Sequence, residues 1–191
     1  ALVLSLAGLW LTRPGGGRRG LLLGLLGLVL SLPLVTYIAN FEYAARSYPP
    51  INDITTDTED PITLWDVPNP VAYPGSQVAE LQKQGYPDIK PLELDMDPVR
   101  VFELASAVAH DMGWEIVSEN AEDLQIEAVT TSFLFGFEDY VAVRLQDING
   151  HARVDVRSHS LLGKIDRGAN ARRIRAYLHT LEQRAAMAGP L

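Results

Sequence analysis

The sequence contains no cysteine among its 191 residues. No disulfide bond can therefore form, and any domain in an oxidising compartment must be stabilised by its hydrophobic core alone. The sequence also lacks a Gly-x-Ser-x-Gly nucleophile motif, a phosphate-binding loop and a Gly-x-Gly-x-x-Gly motif following a strand. Its four histidines have no metal-ligand spacing to one another. These absences argue against an enzyme, so we predict no catalytic residue, no metal ligand and no cofactor.

Charged residues are absent from Gly20 to Phe41, and Arg13, Arg18 and Arg19 precede this run. At about 1.5 Å per residue the run reaches roughly 33 Å, enough to cross a hydrocarbon core of about 30 Å. The earlier apolar run, Ala1 to Thr12, is too short to cross alone and is interpreted as the end of a truncated helix. Because basic residues beside a membrane span stay in the cytoplasm, residues 1–41 are predicted to form a helical hairpin with a basic cytoplasmic turn.

This orientation predicts a bacterial inner-membrane protein whose C-terminal domain lies on the periplasmic side. A cleaved signal peptide is the alternative, but its apolar core would be only about 7–15 residues long. After Phe41 the chain carries 13 basic and 24 acidic residues, a net charge of −11. This acidity argues against nucleic acid as a partner. The predicted partners are the lipid bilayer and other membrane-protein subunits.

Small residues recur along the apolar run at a spacing that places them on one stripe of a helix. Helices in lipid associate where such residues allow their backbones to approach closely. We therefore predict a packing seam, whose partner can be the preceding helix of the same chain, although glycine is also common in membrane helices generally. The residues of this stripe are Gly20, Gly24, Gly27 and Ser31.

The remainder of the chain is patterned as an α+β protein. Residues 42–91 are rich in proline and are predicted to be extended and to wrap over the domain formed by 92–191. Asp97 and Pro98 have the character of a helix N-cap and first turn, and Asn149-Gly150 is a hairpin turn signal. The predicted fold is a membrane helical hairpin followed by an antiparallel sheet of four or more strands with two helices on one face. The strands are expected at Trp114–Ser118, Leu124–Ser132, Asp139–Gln146 and Ala152–His159, and the last helix at Asn170–Ala186.

Strand alternation leaves a polar face on the sheet, away from the predicted helices. That face is either a solvated set of cross-strand charge pairs or a docking surface for a partner or an anionic ligand. The turn from Gly163 to Asn170 is either a polar clasp, in which Arg157 and Arg173 pair with Asp155, Asp139 or Asp166, or an anion cradle at a helix N-terminus. The acidic cluster of Asp53, Asp57, Glu59 and Asp60 lacks EF-hand spacing and is interpreted as a solvated loop. The candidate ligand or partner residues are Arg144, Arg153, Asp155, Arg157, Ser158, Asp166, Asn170 and Arg173.

Several strings occur in the order characteristic of one known family. They are Asp53-Ile54-Thr55-Thr56-Asp57-Thr58, Tyr86-Pro87-Asp88, Phe135-Gly136-Phe137-Glu138-Asp139 and Arg153-Val154-Asp155-Val156-Arg157-Ser158-His159-Ser160. Over about Ile51 to Leu181 the chain resembles the bacterial and plastid family catalogued as domain of unknown function fourteen-ninety-nine. This resemblance implies hydrophobic helices ahead of the domain, and it implies no established activity.

The chain departs from the family pattern at Tyr140, Leu161 and Ile165, where Asp, Arg and Ser are usual. If the family residues line a ligand site, that site is weakened here and an apolar contact replaces it. The favoured hypothesis is an accessory or structural subunit of a bacterial inner-membrane assembly, photosynthetic or respiratory, with no catalysis of its own. The alternative is a periplasmic small-ligand-binding module.

Overall fold

A computed structural model of the chain describes residues 1–12, 20–133 and 135–189. The predicted basic turn with Arg13, Arg18 and Arg19 lies outside these residues. The described residues form two compact units, Ala1–Ser47 and Tyr48–Leu191. Their elements are α1 (Leu2–Leu11), α2 (Leu21–Ser47), β1 (Asp53–Thr55), α3 (Ser76–Gly85), β2 (Leu92–Leu94), α4 (Pro98–Asp111), β3 (Glu115–Asn120), β4 (Gln125–Thr131), β5 (Glu138–Ile148), β6 (His151–Ser160) and α5 (Ala169–Ala188).

The first unit consists of α1 packed against α2. A Cβ atom added at Gly24 would lie 3.1 Å from Leu9 Cγ, and one added at Gly27 would lie 2.5 Å from Ser5 Oγ. Gly24 and Gly27 therefore face α1, and Ser31, one turn further on, is also buried. Gly20 precedes α2 at a φ of 131°, a conformation that favours glycine.

Helix α2 contains a segment long and apolar enough to cross a membrane by length and composition. The segment is Leu21–Ala44, with 24 residues, and only 6% of its most apolar window is buried. A signal sequence near an N-terminus shares these properties. The segment extends three residues beyond the predicted end at Phe41, and the helix itself continues to Ser47.

The second unit is built on an antiparallel sheet of six strands in the order β1-β6-β5-β4-β3, with β2 also paired to β6. The predicted α+β class is thereby confirmed. Strands β5 and β6 form the longest pairing, from Asp139 opposite Ser160 to Ile148 opposite His151. They are joined at Asn149 and Gly150, which both have positive φ, as the Asn-Gly signal predicts.

Helices α4 and α5 pack on one face of this sheet and enclose the main hydrophobic core. Helix α4 begins where it is predicted to begin, because the Asp97 side chain accepts hydrogen bonds from the amides of Val99 and Arg100. The Tyr177 hydroxyl of α5 donates to the Ala105 carbonyl of α4 at 2.9 Å. The core side chains with no exposed area include Val101, Ala105, Val108, Val154, Val156, Ile174, Tyr177 and Leu181.

The division of the chain differs from the predicted one. Residues 42–47 continue α2, and residues 48–91 belong to the same compact unit as the sheet. This segment also contains α3, which was predicted as extended chain. Residues 48–91 belong to the same unit as the sheet because Ile51 and Tyr86 pack in the main core. In addition, the Gln82 side chain of α3 accepts from the Thr55 amide and donates to the Thr55 carbonyl of β1, at 3.0 and 2.6 Å.

Candidate functional site

The polar face of the sheet, opposite α4 and α5, is covered by the chain itself. We call residues 53–73 the covering segment. Its side chains Ile62, Leu64 and Val67 form a second apolar cluster with Tyr140 and Ala142 of β5. The interpretation of this face as solvated is therefore wrong. The prediction failed because the sequence alone does not show that an irregular, proline-rich segment returns to the sheet.

Arg157 of β6 lies at the centre of the covered face, with 1% of its side chain exposed. Its Nε and Nη2 donate to the two carboxylate oxygens of Asp53 at 3.0 and 2.7 Å. Its Nη1 donates to the Ile62 carbonyl at 2.7 Å, and its Nη2 also donates to the Val71 carbonyl at 3.0 Å. One guanidinium thus joins β6, β1 and two positions of the covering segment. Its carboxylate partner is none of the three predicted ones.

Asp53 is fully buried and is also hydrogen-bonded to His159 Nδ1 at 3.1 Å. Burial by itself would raise the pKa of Asp53, but the hydrogen bonds from His159 and Arg157 outweigh it and lower that pKa below its ordinary value. Asp53 is consequently ionised at neutral pH, and its charge is matched by the adjacent guanidinium.

A second charged group lies one step away on the same face, around Asp155. This buried carboxylate accepts from Thr56 Oγ1 at 3.0 Å, from Arg153 Nε at 3.2 Å and from Arg144 Nη2 at 3.4 Å. Asp57 accepts from Arg153 at 2.6 Å, and Asp60 accepts from Arg144 at 2.9 Å. The predicted solvated acidic loop thus supplies counterions to the arginines of the sheet.

Burial would raise the pKa of Asp57, but amide hydrogen bonds from Asp60 and Glu59, together with the charge of Arg153, lower it below its ordinary value. This carboxylate is therefore ionised and available for pairing.

Within the described ranges, no group of three or more His, Asp or Glu side chains is arranged to hold a metal ion.

Glu127 of β4 provides a third attachment point for the covering segment. Its side chain is buried, and its carboxylate accepts from the backbone amides of Trp65, Asp66 and Val67 at 2.8, 2.9 and 3.2 Å. Gln125 Nε2 donates to the same carboxylate at 2.9 Å. Three consecutive amides aimed at one carboxylate hold the covering segment over the sheet without a cation.

The other half of the predicted site lies on the helix side of the sheet, because Ser158 and Arg157 point to opposite faces. Arg173 donates to Ser158 Oγ at 2.7 Å and to Asp139 at 2.5 Å. Ser158 Oγ in turn donates to Asn170 Oδ1 at 2.8 Å. These contacts join strand to helix through Arg173 and Asp139, without Arg157, and their polar atoms bind one another.

Asp166 caps α5 by accepting from the amides of Gly168 and Asn170 at 2.9 and 2.8 Å. Burial raises the pKa of its carboxyl above the ordinary value, against the effect of these two bonds. The eight candidate residues therefore do not form one site. Arg144, Arg153, Asp155 and Arg157 lie on the covered face, and Ser158, Asp166, Asn170 and Arg173 lie on the helix side.

A cleft of about 290 Å³ opens between the covering segment and Arg157. Tyr73 lines it, with its ring centroid 5.6 Å from the guanidinium carbon of Arg157. The buried hydroxyl of Tyr73 has no hydrogen-bond partner, nor has that of Thr55 in β1. Burial, and to a lesser extent Asp53, raises the pKa of Tyr73 to about 12, so the phenol remains a hydrogen-bond donor at neutral pH.

The candidate residues chosen from the sequence do not include Asp53, Tyr73 or Glu127. A signal for Glu127 is present, because it is a carboxylate within the predicted strand Leu124–Ser132, and Asp53 lies within one of the family strings. Their partners lie far away in sequence, however, and Asp53 and Arg157 are separated by 104 positions. Two of the three departures from the family pattern, Tyr140 and Leu161, pack in the second apolar cluster, an apolar contact where the pattern has Asp and Arg.

Comparison with known proteins adds a family match. The family described as Protein of unknown function (DUF1499) matches residues 53–181. No curated protein matches the chain. Among solved structures, the crystal structure of Ara h 8.0201 aligns at a TM-score of 0.34 and 10% identity, covering 51% of this chain and 95% of that one.

Proposed function

The chain belongs to the DUF1499 family, and from that premise we propose that it is a membrane-anchored accessory subunit of a bacterial inner-membrane assembly, without catalysis of its own. The observation that carries this proposal is the exposed apolar surface of α2. Leu22, Leu23 and Leu30 lie within the 24-residue segment and are each at least 70% exposed. Such a surface is stable in lipid or against other apolar helices, and it is unfavourable in water.

The second unit supports an accessory role. The charged side chains of its covered face are bound by the chain's own carboxylates, amides and carbonyls, as structural parts of the fold are. The arginines ahead of α2 follow the positive-inside bias of inner-membrane proteins. We further propose an energy-transducing assembly, because the family resemblance extends to both bacteria and plastids.

Anchoring and orientation can be tested with single cysteines, since the chain has none of its own. Ile148 is half-exposed at the end of β5, whereas Val156 is fully buried in β6. We expect a membrane-impermeant maleimide to label Ile148→Cys in intact spheroplasts and to leave the matched Val156→Cys unlabelled until the protein is denatured. Labelling of Ile148→Cys only after lysis, or release of the chain by alkaline carbonate, would contradict the proposal.

Membership of an assembly can be tested by purifying the tagged full-length chain from its native membrane in mild detergent. The expected result is co-purification with other membrane proteins in constant ratio, at a particle mass well above that of the 21.0 kDa chain. A single-span protein from the same membrane with the same tag is the control. Recovery of a lone monomer in every gentle extraction would reject the accessory role.

A small-ligand-binding module is the second candidate, and the cleft beside Tyr73 favours it. Because Asp53 already neutralises Arg157, the group left to recognise a ligand is the unpartnered Tyr73 hydroxyl. A ligand with a hydrogen-bond acceptor should therefore raise the melting temperature of the chain and have no effect on Tyr73→Phe. The absence of any thermal shift over a broad metabolite panel would contradict this second function.

A further inference from the structure

The loop between β4 and β5 presents aromatic side chains to solvent. Phe133 is fully exposed, and Phe135 and Phe137 are 58% and 49% exposed. The last two rings stack with their centroids 5.5 Å apart. We call these three residues the aromatic tip; residue 134 lies outside the described part of the chain. Contiguous exposed side chains of this size mark surfaces that contact a protein or a membrane.

The backbone of the loop is held by its own hydrogen bonds. The Ser132 amide donates to the Phe137 carbonyl at 2.7 Å, and the Phe137 amide donates to Ser132 Oγ at 2.9 Å. The Gly136 amide donates to the Ser132 carbonyl at 2.9 Å, with Gly136 at a φ of 64°. These bonds close the loop in a conformation that turns the phenyl rings outwards instead of folding them onto the sheet.

Another exposed apolar residue, Leu162, lies on the loop between β6 and α5, next to the loop that carries the tip. The Leu161 amide donates to the Glu138 carbonyl at 3.3 Å, which brings the two loops together. Leu162, the next residue, is 65% exposed. The run from Thr131 to Phe137 contains no charged residue. The surface is therefore apolar and uncharged at its centre, as required for insertion among lipids.

The strand register shows which end of the sheet carries the tip. Asp53, the first residue of β1, pairs with His159 near the end of β6. Ser160 pairs with Asp139 near the start of β5, and Glu138 pairs with Thr131 at the end of β4. The aromatic tip thus lies at the end of the sheet where the chain enters it from the N-terminal side.

The covalent path to that end is short. Eight residues, 45–52, lie between Ala44, the last residue of the candidate membrane segment, and Asp53. Fully extended, this path reaches at most about 30 Å. The apolar phase within reach of the tip by this tether is the bilayer that takes up the membrane segment. A bilayer also offers an interfacial region outside its hydrocarbon core in which aromatic and leucine side chains are favourable.

We propose that the aromatic tip, with Leu162, inserts into the interfacial region of the bilayer and gives the second unit its own contact with lipid. The inference rests on the proposed function, since it requires α2 to be a retained anchor. A second copy of the chain covering the same residues is the competing occupant, and spin labelling separates the two.

The test is site-directed spin labelling of the full chain reconstituted in vesicles of phosphatidylcholine and phosphatidylglycerol. Because the chain has no cysteine, Phe133→Cys, Leu162→Cys, Ile148→Cys and Leu30→Cys each carry a single nitroxide. Ile148 is the matched control, since it is exposed at the opposite end of β5. We expect the ratio of oxygen to nickel-chelate collision rates at positions 133 and 162 to exceed that at position 148 at least several-fold.

Each other outcome overturns a defined part of the reasoning. A label at position 133 that is as accessible to the nickel chelate as the label at 148, while the Leu30→Cys label is in lipid, overturns the inference and leaves the anchor intact. A label at 133 shielded from both reagents overturns lipid insertion in favour of contact with a second copy of the chain, the protein present in these vesicles. If the Leu30→Cys label is itself in water, the proposed anchor fails. Phe133 is fully exposed, so its replacement leaves the fold unchanged, and Leu162→Cys provides an independent reading.

Discussion

Removing the charge of Asp53 is expected to be among the most destabilising single substitutions on the covered face. In Asp53→Asn, one amide oxygen replaces two charged acceptors, and the amide NH2 group faces the donors of Arg157 and His159. Arg157 is then left buried with its positive charge unpaired. Breaking a buried ion pair from one side costs about 3–5 kcal/mol, so the free energy of unfolding should fall by this amount.

An exposed pair of similar geometry provides the control. Arg175 donates to both carboxylate oxygens of Asp88 at 2.5 and 2.8 Å, but the two side chains are 41% and 55% exposed. Pairs in this position contribute about 0–1 kcal/mol because water screens and competes with them. Asp88→Asn should therefore lower the free energy of unfolding by no more than about 1 kcal/mol.

The double variant Asp53→Asn/Arg157→Met measures the coupling between the two residues. Removing both charges avoids an unpaired ion, but the carbonyls of Ile62 and Val71 lose their donor, which costs about 1–3 kcal/mol for each buried group. The double variant should thus remain less stable than the natural chain. Its loss should still be smaller than the sum of the two single losses, by about 2 kcal/mol or more.

The measurement is urea unfolding of the full chain in detergent, followed by the fluorescence of Trp114 in a Trp10→Phe/Trp65→Phe background, because the chain has three tryptophans. The side chain of Trp114 is buried in the main core and stacks on Tyr177 with centroids 4.8 Å apart, so its emission reports the second unit. Midpoints should shift while the slopes stay constant. A loss below about 1 kcal/mol for Asp53→Asn, or one equal to that of Asp88→Asn, would refute the assignment of a buried, tightly coupled pair.

Three further predictions concern pH, the covering segment and the membrane helices. Since the pKa of Asp53 is lowered in the folded chain, its contribution to stability is present above its unfolded pKa of about 3.9 and is lost as pH falls through the folded value. The difference in the free energy of unfolding between the natural chain and Asp53→Asn should therefore shrink below about pH 4. Urea unfolding at several pH values measures this difference, which should not shrink between about pH 5 and 7. Glu127→Gln replaces a charged acceptor of three backbone amides and should cost about 1–3 kcal/mol, with faster hydrogen exchange at those amides; unchanged exchange would contradict the attachment. Gly24→Leu should separate α1 from α2, because its Cβ would lie 3.3 Å from the backbone nitrogen of Leu9, whereas Gly8→Ala has free space and should leave chemical cross-linking between the helices unaltered.

The long strands and their turn could be predicted because their signals are local. Alternation over seven to eleven residues indicates β4, β5 and β6, and the Asn149-Gly150 pair fixes how β5 and β6 are joined. The N-cap of α4 is local in the same way. Strands β1 and β2 have three residues each, which is too few for a period to be recognised. They are defined by the partner strand β6 and not by their own sequence.

The state of the polar face could not be predicted for a different reason. Alternation shows which residues point away from the helices, but a buried ion pair and a solvated one have the same pattern along a strand. The difference depends on whether Ile62, Leu64 and Val67 pack on the sheet, and these residues follow no regular period. The family motifs carried part of the missing information, since Asp53 and Arg157 both lie within matched strings, but a motif does not show which of its residues are in contact.

The order of the charge pairs explains how an irregular segment acquires a defined position. Asp53 pairs with Arg157 and Asp57 with Arg153 as the covering segment runs back along β6, and Asp60 then reaches Arg144 on β5. A shift of the segment by one pair would leave a buried guanidinium or carboxylate without its counterion, at a cost of several kcal/mol. We infer that these pairs specify the register of the segment more than they add stability. Because the segment starts at β1, its register also fixes the end of the sheet at which the chain enters, and this is the end that carries the aromatic tip.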